Sequence, residues 1–247
     1  MARFDRLTTL MERFSLVVRP ASLAEANLLV VAAADGTPQE IVLCSRTNGF
    51  AIDADQVLFC AQVDWGGMSN PLIAALPDVV VFDLGGDADS RGLVSLMQTE
   101  FQAQRCGAGS VVSRLGEVMI VRMLRAQIEA GSTAPGLLAG LSDPRLSRAI
   151  VAIHDAPGRG WRNEELAQIA GLSLSRFAET FLAVVGEPPA AYLRRWRLIL
   201  ARQDVVRGDR VDAVARRYGY RSPEGFARAF KRHFGDNPVA LRLKPGN

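Results

Sequence analysis

The chain opens with apolar residues at helical spacing. Phe4, Leu7, Leu10, Met11 and Phe14 recur every three or four positions, which predicts a short amphipathic helix over 2–14. From residue 15 to 84 the texture changes to short β-branched and apolar runs: Ser15–Arg19, Leu28–Ala34, Glu40–Cys44, Gln56–Gln62 and Val79–Leu84. The turn signals Asp35-Gly36-Thr37-Pro38, Asn48-Gly49, Gly66-Gly67 and Gly85-Gly86 separate them, predicting a small, mostly antiparallel sheet or partial barrel. After Gly86 the period turns helical. Leu93, Leu96, Met97, Glu100 and Phe101 form one stripe, and Val111, Leu115, Val118, Met119, Arg122 and Met123 another, with Gly107-Ala108-Gly109 between them. This is an antiparallel helical hairpin. Its second helix, about 110–130, is apolar over an arc broad enough to need cover from the sheet or from a second copy of the chain.

Residues 131–143 have the Gly, Ser, Thr and Pro content of a linker, and Ser142-Asp143-Pro144 offers the cap and proline that start a helix running to about His154. An internal repeat follows, 165–194 and then 212–242. Ala167 and Gly171 match Ala215 and Gly219 at an offset of 48, whereas Phe177, Phe181, Gly186 and Pro189 match Phe226, Phe230, Gly235 and Pro238 at 49. One residue is therefore inserted in the second turn. Each copy has the physics of a helix-turn-helix. A short amphipathic helix ends at Gly171 or Gly219, where a left-handed residue turns the chain. Ser173 or Ser222 then caps a second helix, which the phenylalanine pair locks inward so that its opposite face is free to enter a major groove. Between the copies, Pro189 starts a longer helix reaching about Val206, with Tyr192, Leu193, Trp196, Ile199 and Leu200 on its buried side.

Charge separates the chain where periodicity does. Residues 1–158 hold 12 Lys and Arg against 17 Asp and Glu, a net of −5, while residues 159–247 hold 17 against 9, a net of +8. Clustered cations are what binding to a polyphosphate rewards, so only the C-terminal part is expected to meet one. Arg outnumbers Lys 27 to 2, but a GC-rich genome produces the same bias. Three cysteines, Cys44, Cys60 and Cys106, are no secreted disulfide framework. The N-terminus lacks the apolar core of a signal peptide and no apolar run approaches a membrane span, so a cytoplasmic, nucleoid-associated protein with no membrane partner is expected.

At Trp161 with ELAQIAGLSLSRFAETF (165–181), at Gly186–Arg197, and at VARRYGYRSPEGFARAFKRHFGDNP (214–238), the sequence resembles the AraC/XylS family of transcription regulators. The stretch from Cys60 to Phe82 followed by two helices resembles the cupin-like regulatory half of some members. The resemblance implies an α+β chain in three parts. Residues 1–130 form a degenerate cupin-like regulatory and dimerisation domain with its helical hairpin. Residues 131–143 link it to 144–247, an all-α domain with two helix-turn-helix motifs on one long helix.

Carried over by position, the base-reading residues are Ser175, Arg176, Ala178 and Glu179 in the first recognition helix and Pro223, Glu224, Gly225 and Arg228 in the second. Arg194, Arg195, Arg197, Arg221, Ser222, Lys231, Arg232 and His233 are cast as phosphate contacts. Ala178 and Gly225 offer only close approach or methyl contact, so direct readout is sparse and DNA shape contributes. The expected partners are double-stranded DNA, RNA polymerase, an unidentified small-molecule effector and a second copy of the chain through the hairpin.

Three rival readings compete with this one. A metal-dependent cupin enzyme needs a cluster of histidines in the sheet, and the only two, His154 and His233, lie in the C-terminal part, so no metal, cofactor or catalytic residue is expected. A thiol sensor would work through Cys106, next to Arg105 at a helix junction, or less readily through Cys60 or Cys44. An architectural protein would bind DNA through the same motifs with no preferred site.

Overall fold

The computed structural model describes residues 5–14, 16–45, 52–66, 70–131 and 134–242. Phe4, Ser15, Asn48-Gly49, Gly67, Ser132, Thr133 and Lys244 lie outside the described residues. The described residues divide into two compact units, 14–131 and 5–13 with 134–242. Among them no helix is long and apolar enough to cross a membrane.

The first unit carries five strands at the five predicted places: β1 (Val17–Pro20), β2 (Leu28–Ala32), β3 (Pro38–Cys44), β4 (Val57–Asp64) and β5 (Val79–Asp83). They form one antiparallel sheet in the order β1-β4-β2-β3-β5. Bulges at Val31/Ala32 and Val30/Val31 bend the central strand. At the start of that strand the Asn27 amide is buried and exchanges two hydrogen bonds with the Val63 backbone (2.7 and 3.0 Å), acting as an extra rung of the ladder.

Two helices make the hairpin, α3 (Ala88–Ala103) and α4 (Ala108–Ala130), and α4 packs on β1. Gly116 makes this approach possible, because a Cβ there would sit 2.6 Å from the Val18 side chain. A short helix, α2 (Pro71–Ala75), precedes β5; its cap, Asn70, accepts from the Leu72 amide at 2.9 Å.

The roll of the hairpin differs from the predicted stripes. In α3 the buried residues are Ser90, Val94 and Met97, while Leu96 and Phe101 are exposed. In α4, Val112, Gly116, Met119, Ile120, Met123, Leu124 and Ile128 are buried, and Val111 and Val118 are exposed. A polar clamp explains the turn of the two helices. Arg122 of α4 donates to Asp87 at 2.7 and 2.8 Å and to Ser90 at 2.7 Å, drawing the Asp87–Ser90 end of α3 inward. Hydrogen bonds from Arg122 and Ser90 hold the Asp87 carboxyl far below the usual carboxylate range.

The second unit is all helical. It contains α1 (Thr8–Arg13), α5 (Leu137–Ser142), α6 (Leu146–Asp155), α7 (Asn163–Ala170), α8 (Leu174–Val185), α9 (Pro189–Val206), α10 (Val211–Arg217), α11 (Pro223–Phe234) and α12 (Pro238–Arg242). Although first in the chain, α1 packs against α6, with Leu7 and Leu10 buried and Thr9 bonded to Asp155 at 2.6 Å. Residues 137–142, expected as part of a linker, form α5, and Leu137–Leu141 are all buried against α6 and α8. The glycine that suggested flexibility there serves close packing: a Cβ on Gly140 would lie 2.5 Å from Ile150 and 2.9 Å from Val185.

Candidate nucleic-acid interface

Two helix-turn-helix modules, α7–α8 and α10–α11, share α9 as their common support. Gly171 at φ +68° and Gly219 at φ +73° make the turns, a conformation that residues with a Cβ rarely adopt. Ser173 caps α8 by accepting from the Arg176 amide (3.4 Å), and Ser222 caps α11 by accepting from the Gly225 amide (3.1 Å). Phe177 and Phe181 in one module, Phe226 and Phe230 in the other, are fully buried, with edge-on ring contacts at 5.5 and 5.4 Å. Ala167 and Ala215 are buried too, and their small side chains admit the neighbouring helix. The helix α9 holds both modules through Tyr192, Trp196, Leu200 and Val205; its 18 residues span about 27 Å at 1.5 Å each.

The outward faces of α8 and α11 carry the residues assigned to base reading. Ser175, Arg176 and Glu179 are exposed and Ala178 partly so; on α11, Pro223, Glu224 and Arg228 are exposed and Gly225 partly so. Arg176 and Glu179 approach each other at 3.9 Å.

The residues assigned to phosphate fall into two groups. Arg194, Arg221, Lys231 and Arg232 are exposed. Arg195 and Arg197 are already engaged: Arg195 pairs with Glu187 at 2.6 Å, while Arg197 donates to the carbonyls of Pro157 (2.6 Å) and Arg159 (2.7 Å). Partial desolvation and then the Arg195 charge hold His233 below the ordinary imidazole pKa. The Ser222 hydroxyl is committed to its cap.

Sequence reasoning missed three features. The first is a cleft of about 240 Å³ lined by Trp161, Asn163, Arg194, Arg197 and Tyr220 among others. The Tyr220 hydroxyl is buried, and desolvation raises its pKa against the nearby Arg197, Arg194 and Arg232 charges. The second is the seam behind this cleft. A Cβ on Gly158 would lie 2.1 Å from the Arg217 carbonyl oxygen, and one on Gly219 2.7 Å from the Gly158 carbonyl oxygen, so the loop before α7 and the turn after α10 meet backbone to backbone.

The third is a pair of buried polar centres on α9. At one end His154 stacks on Trp196 at 4.0 Å and meets the Tyr192 hydroxyl at 2.6 Å; burial, then the Arg195 charge, lowers its pKa to about 3. At the other, Asp204 accepts from Tyr218 at 2.7 Å and pairs with Arg207 and Arg217. Burial alone would raise the Asp204 pKa, and its hydrogen bonds from Tyr218, Arg217 and Arg207 outweigh that and lower it. The signal for both centres was a polar residue on an otherwise apolar stripe.

A family model described as a helix-turn-helix domain matches residues 166–244, and one described as a cupin matches residues 12–129. Over 250 residues the chain is 32% identical to an AraC-like transcription regulator of Streptomyces antibioticus, covering 92% of this chain and 81% of that protein. The chain belongs to the AraC family of transcription regulators. A second relative of this AraC-family protein is the HTH-type transcriptional regulator AlkR of Acinetobacter baylyi, 31% identical over 180 residues, which cover 71% of this chain and 59% of AlkR. The DNA-binding domain of AdpA, solved in complex with a target DNA, is 31% identical and aligns with 41% of this chain and 91% of that one at a TM-score of 0.38. As an AraC-family regulator the protein is a DNA-binding one, with a cupin domain ahead of its helix-turn-helix domain.

The three cysteines sit in different surroundings within the cupin unit. Cys44 is buried on β3, Cys60 is half-buried on β4 with its thiol pKa raised by burial, and Cys106 is exposed between α3 and α4.

Proposed function

We propose that the protein is a sequence-specific regulator in which α8 and α11 read successive major grooves on one face of a DNA duplex. The observation that carries this reading is the duplication itself: two capped helices, each locked inward by a phenylalanine pair, stand on the continuous helix α9. On α8 the bases are met by Ser175, Arg176, Ala178 and Glu179, and on α11 by Pro223, Glu224, Gly225 and Arg228. Arg228, exposed and with a planar fork of donors, suits guanine O6 and N7, and Glu224 suits the cytosine amine. Arg194, Arg221, Lys231 and Arg232 are the phosphate contacts, and Arg195 and Arg197 act mainly by holding the frame against which these are placed.

Residues 14–130 are the regulatory part and 144–247 the DNA-binding part, with α1 and α5 packed into the second unit. The exposed Leu96, Phe101, Val111 and Val118 on the hairpin support self-association there, and sedimentation as a monomer at micromolar concentration would remove that element. Control comes from a small-molecule effector acting on the cupin unit, with RNA polymerase as the target of the bound regulator. A thiol input is the second reading, favoured by the exposure of Cys106; a Cys106→Ser chain that keeps its full oxidant response rules it out.

Selection of binding sites from random DNA with the full chain tests the central claim. The expected result is a bipartite motif of about 10–20 bp, set by two helices one duplex turn apart. Arg228→Ala should relax one base position of that motif. A flat selection overturns the sequence-specific reading in favour of an architectural role.

A further inference from the structure

Along one flank of α8, between its buried stripe and Glu179, runs an exposed apolar ridge that the second recognition helix lacks. Leu174, Ala178 and Leu182 stand at i, i+4 and i+8, positions that lie in line along a helix surface. Leu174 is 44% exposed and Leu182 49%, with the partly exposed Ala178 between them. The charged residues of α8 are Arg176 and Glu179, and these two pair with each other at 3.9 Å. By contrast α11 carries Glu224, Arg228, Lys231 and Arg232 on its exposed side. The first helix thus has few polar groups to spend on base edges and an apolar strip running through the base-facing position Ala178.

In the major groove of B-form DNA the one apolar group on any base edge is the C5-methyl of thymine. We infer that α8 selects its half-site by packing Leu174, Ala178 and Leu182 against thymine methyl groups, so that T·A pairs, and not guanine gripped by arginine, define the first half of the operator. This rests on the reading of α8 as a recognition helix given above, and it names what that helix recognises. The ridge is continuous with Ser175 and Glu179 on the same face, so an occupant of the ridge also meets those positions. Ser175 then serves as a hydrogen-bonding partner that suits any base.

The test replaces, one at a time, each thymine of the selected site by deoxyuridine, which deletes the methyl and leaves the pairing intact. Binding is measured with the full chain, in wild type and in Leu182→Ala. Thymines clustered in one half of the site are expected to lose three- to fivefold in affinity per methyl removed, the scale of one buried carbon group. Leu182→Ala should bind the unmodified site five- to tenfold more weakly and be nearly indifferent to methyl removal beside residue 182. Leu182→Met, which keeps the ridge apolar, should retain the sensitivity, and circular dichroism of both variants should match wild type because the side chain is half in solvent.

A deoxyuridine scan without effect in either half overturns the proposal, as does an effect that Leu182→Ala leaves unchanged. Loss of transcription in Leu182→Ala with unaltered DNA affinity also overturns it and assigns the ridge to a protein. A selection that yields no motif removes the sequence-specific reading itself, which is a different failure from a motif whose thymine methyls are irrelevant.

Discussion

The two helix-turn-helix modules are alike inside and unlike outside. Each has a buried alanine, a left-handed glycine, a serine cap and two buried phenylalanines one helical turn apart. Their outward helices diverge: α8 balances one arginine with one glutamate beside an apolar ridge, whereas α11 exposes Arg228, Lys231 and Arg232. Packing fixes the interior because a changed volume leaves a cavity or a clash, while an exposed face bears no such penalty and can be spent on a ligand. Their supports diverge as well. The first module lies near the stacked, neutral His154, and the second is tied to α9 through the charged Asp204.

The largest effect should come from the shared interior. Phe177→Ala and Phe226→Ala each remove a fully buried ring and should cost about 3–5 kcal/mol in denaturant unfolding of the full chain. Equal costs would sharpen the likeness of the two cores, and a gap of more than ~2 kcal/mol would break it. Next comes the support of the second module. Asp204→Ala leaves the Tyr218 hydroxyl and Arg217 without their buried acceptor; with the arginines half in solvent, the expected cost is about 2–3 kcal/mol. Melting of α10–α11 ahead of α7–α8 in hydrogen exchange would confirm that this loss is confined to one module.

Acid should then separate the two. His154 has a folded pKa of about 3 against about 6.5 for an ordinary imidazole, so the unfolded chain binds the extra proton between those values. The stability that neutral His154 contributes is whole above pH 6.5 and declines by up to about 1.4 kcal/mol per pH unit below it, reaching about 2 kcal/mol at pH 5. Asp204 has a lowered pKa, so its contribution is kept above about pH 4 and fails only below that. A thermal melt that is flat from pH 7 to pH 5, or equally steep in His154→Gln, would refute the acid lability. The smallest effect is on DNA. Arg194→Ala should weaken binding to all sequences by under ~1 kcal/mol and reduce the salt slope by about 0.9, while Arg197→Ala should act through stability instead.

Much of this architecture was legible in the chain. The five strands stand where β-branched runs alternate with turn residues, and α9 begins at Pro189 and ends at Val206 as its proline and apolar stripe indicate. The repeat exposed both modules because packing imposes the same spacing twice. Helix α5 was hidden because its flanking glycines and proline look like a linker, although Gly140 is small for close packing. The roll of α3 and α4 was missed because a broad apolar arc leaves several stripes open, and the choice falls to a clamp from Arg122 to residues about 35 positions away. Charge is visible in a sequence and its partner is not. Arg195 and Arg197 looked like their neighbour Arg194 until Glu187 and the Pro157 and Arg159 carbonyls appeared beside them.

The backbone seam at Gly158 and Gly219 sets the unit in which this protein can be rebuilt. Because the segment leading into one head rests on the peptide groups of the other with no room for even a methyl, the heads are not interchangeable cassettes. A chimera that grafts a foreign second head after α9 has to import the matching 156–161 segment with it, or the donor must carry glycine at both junctions.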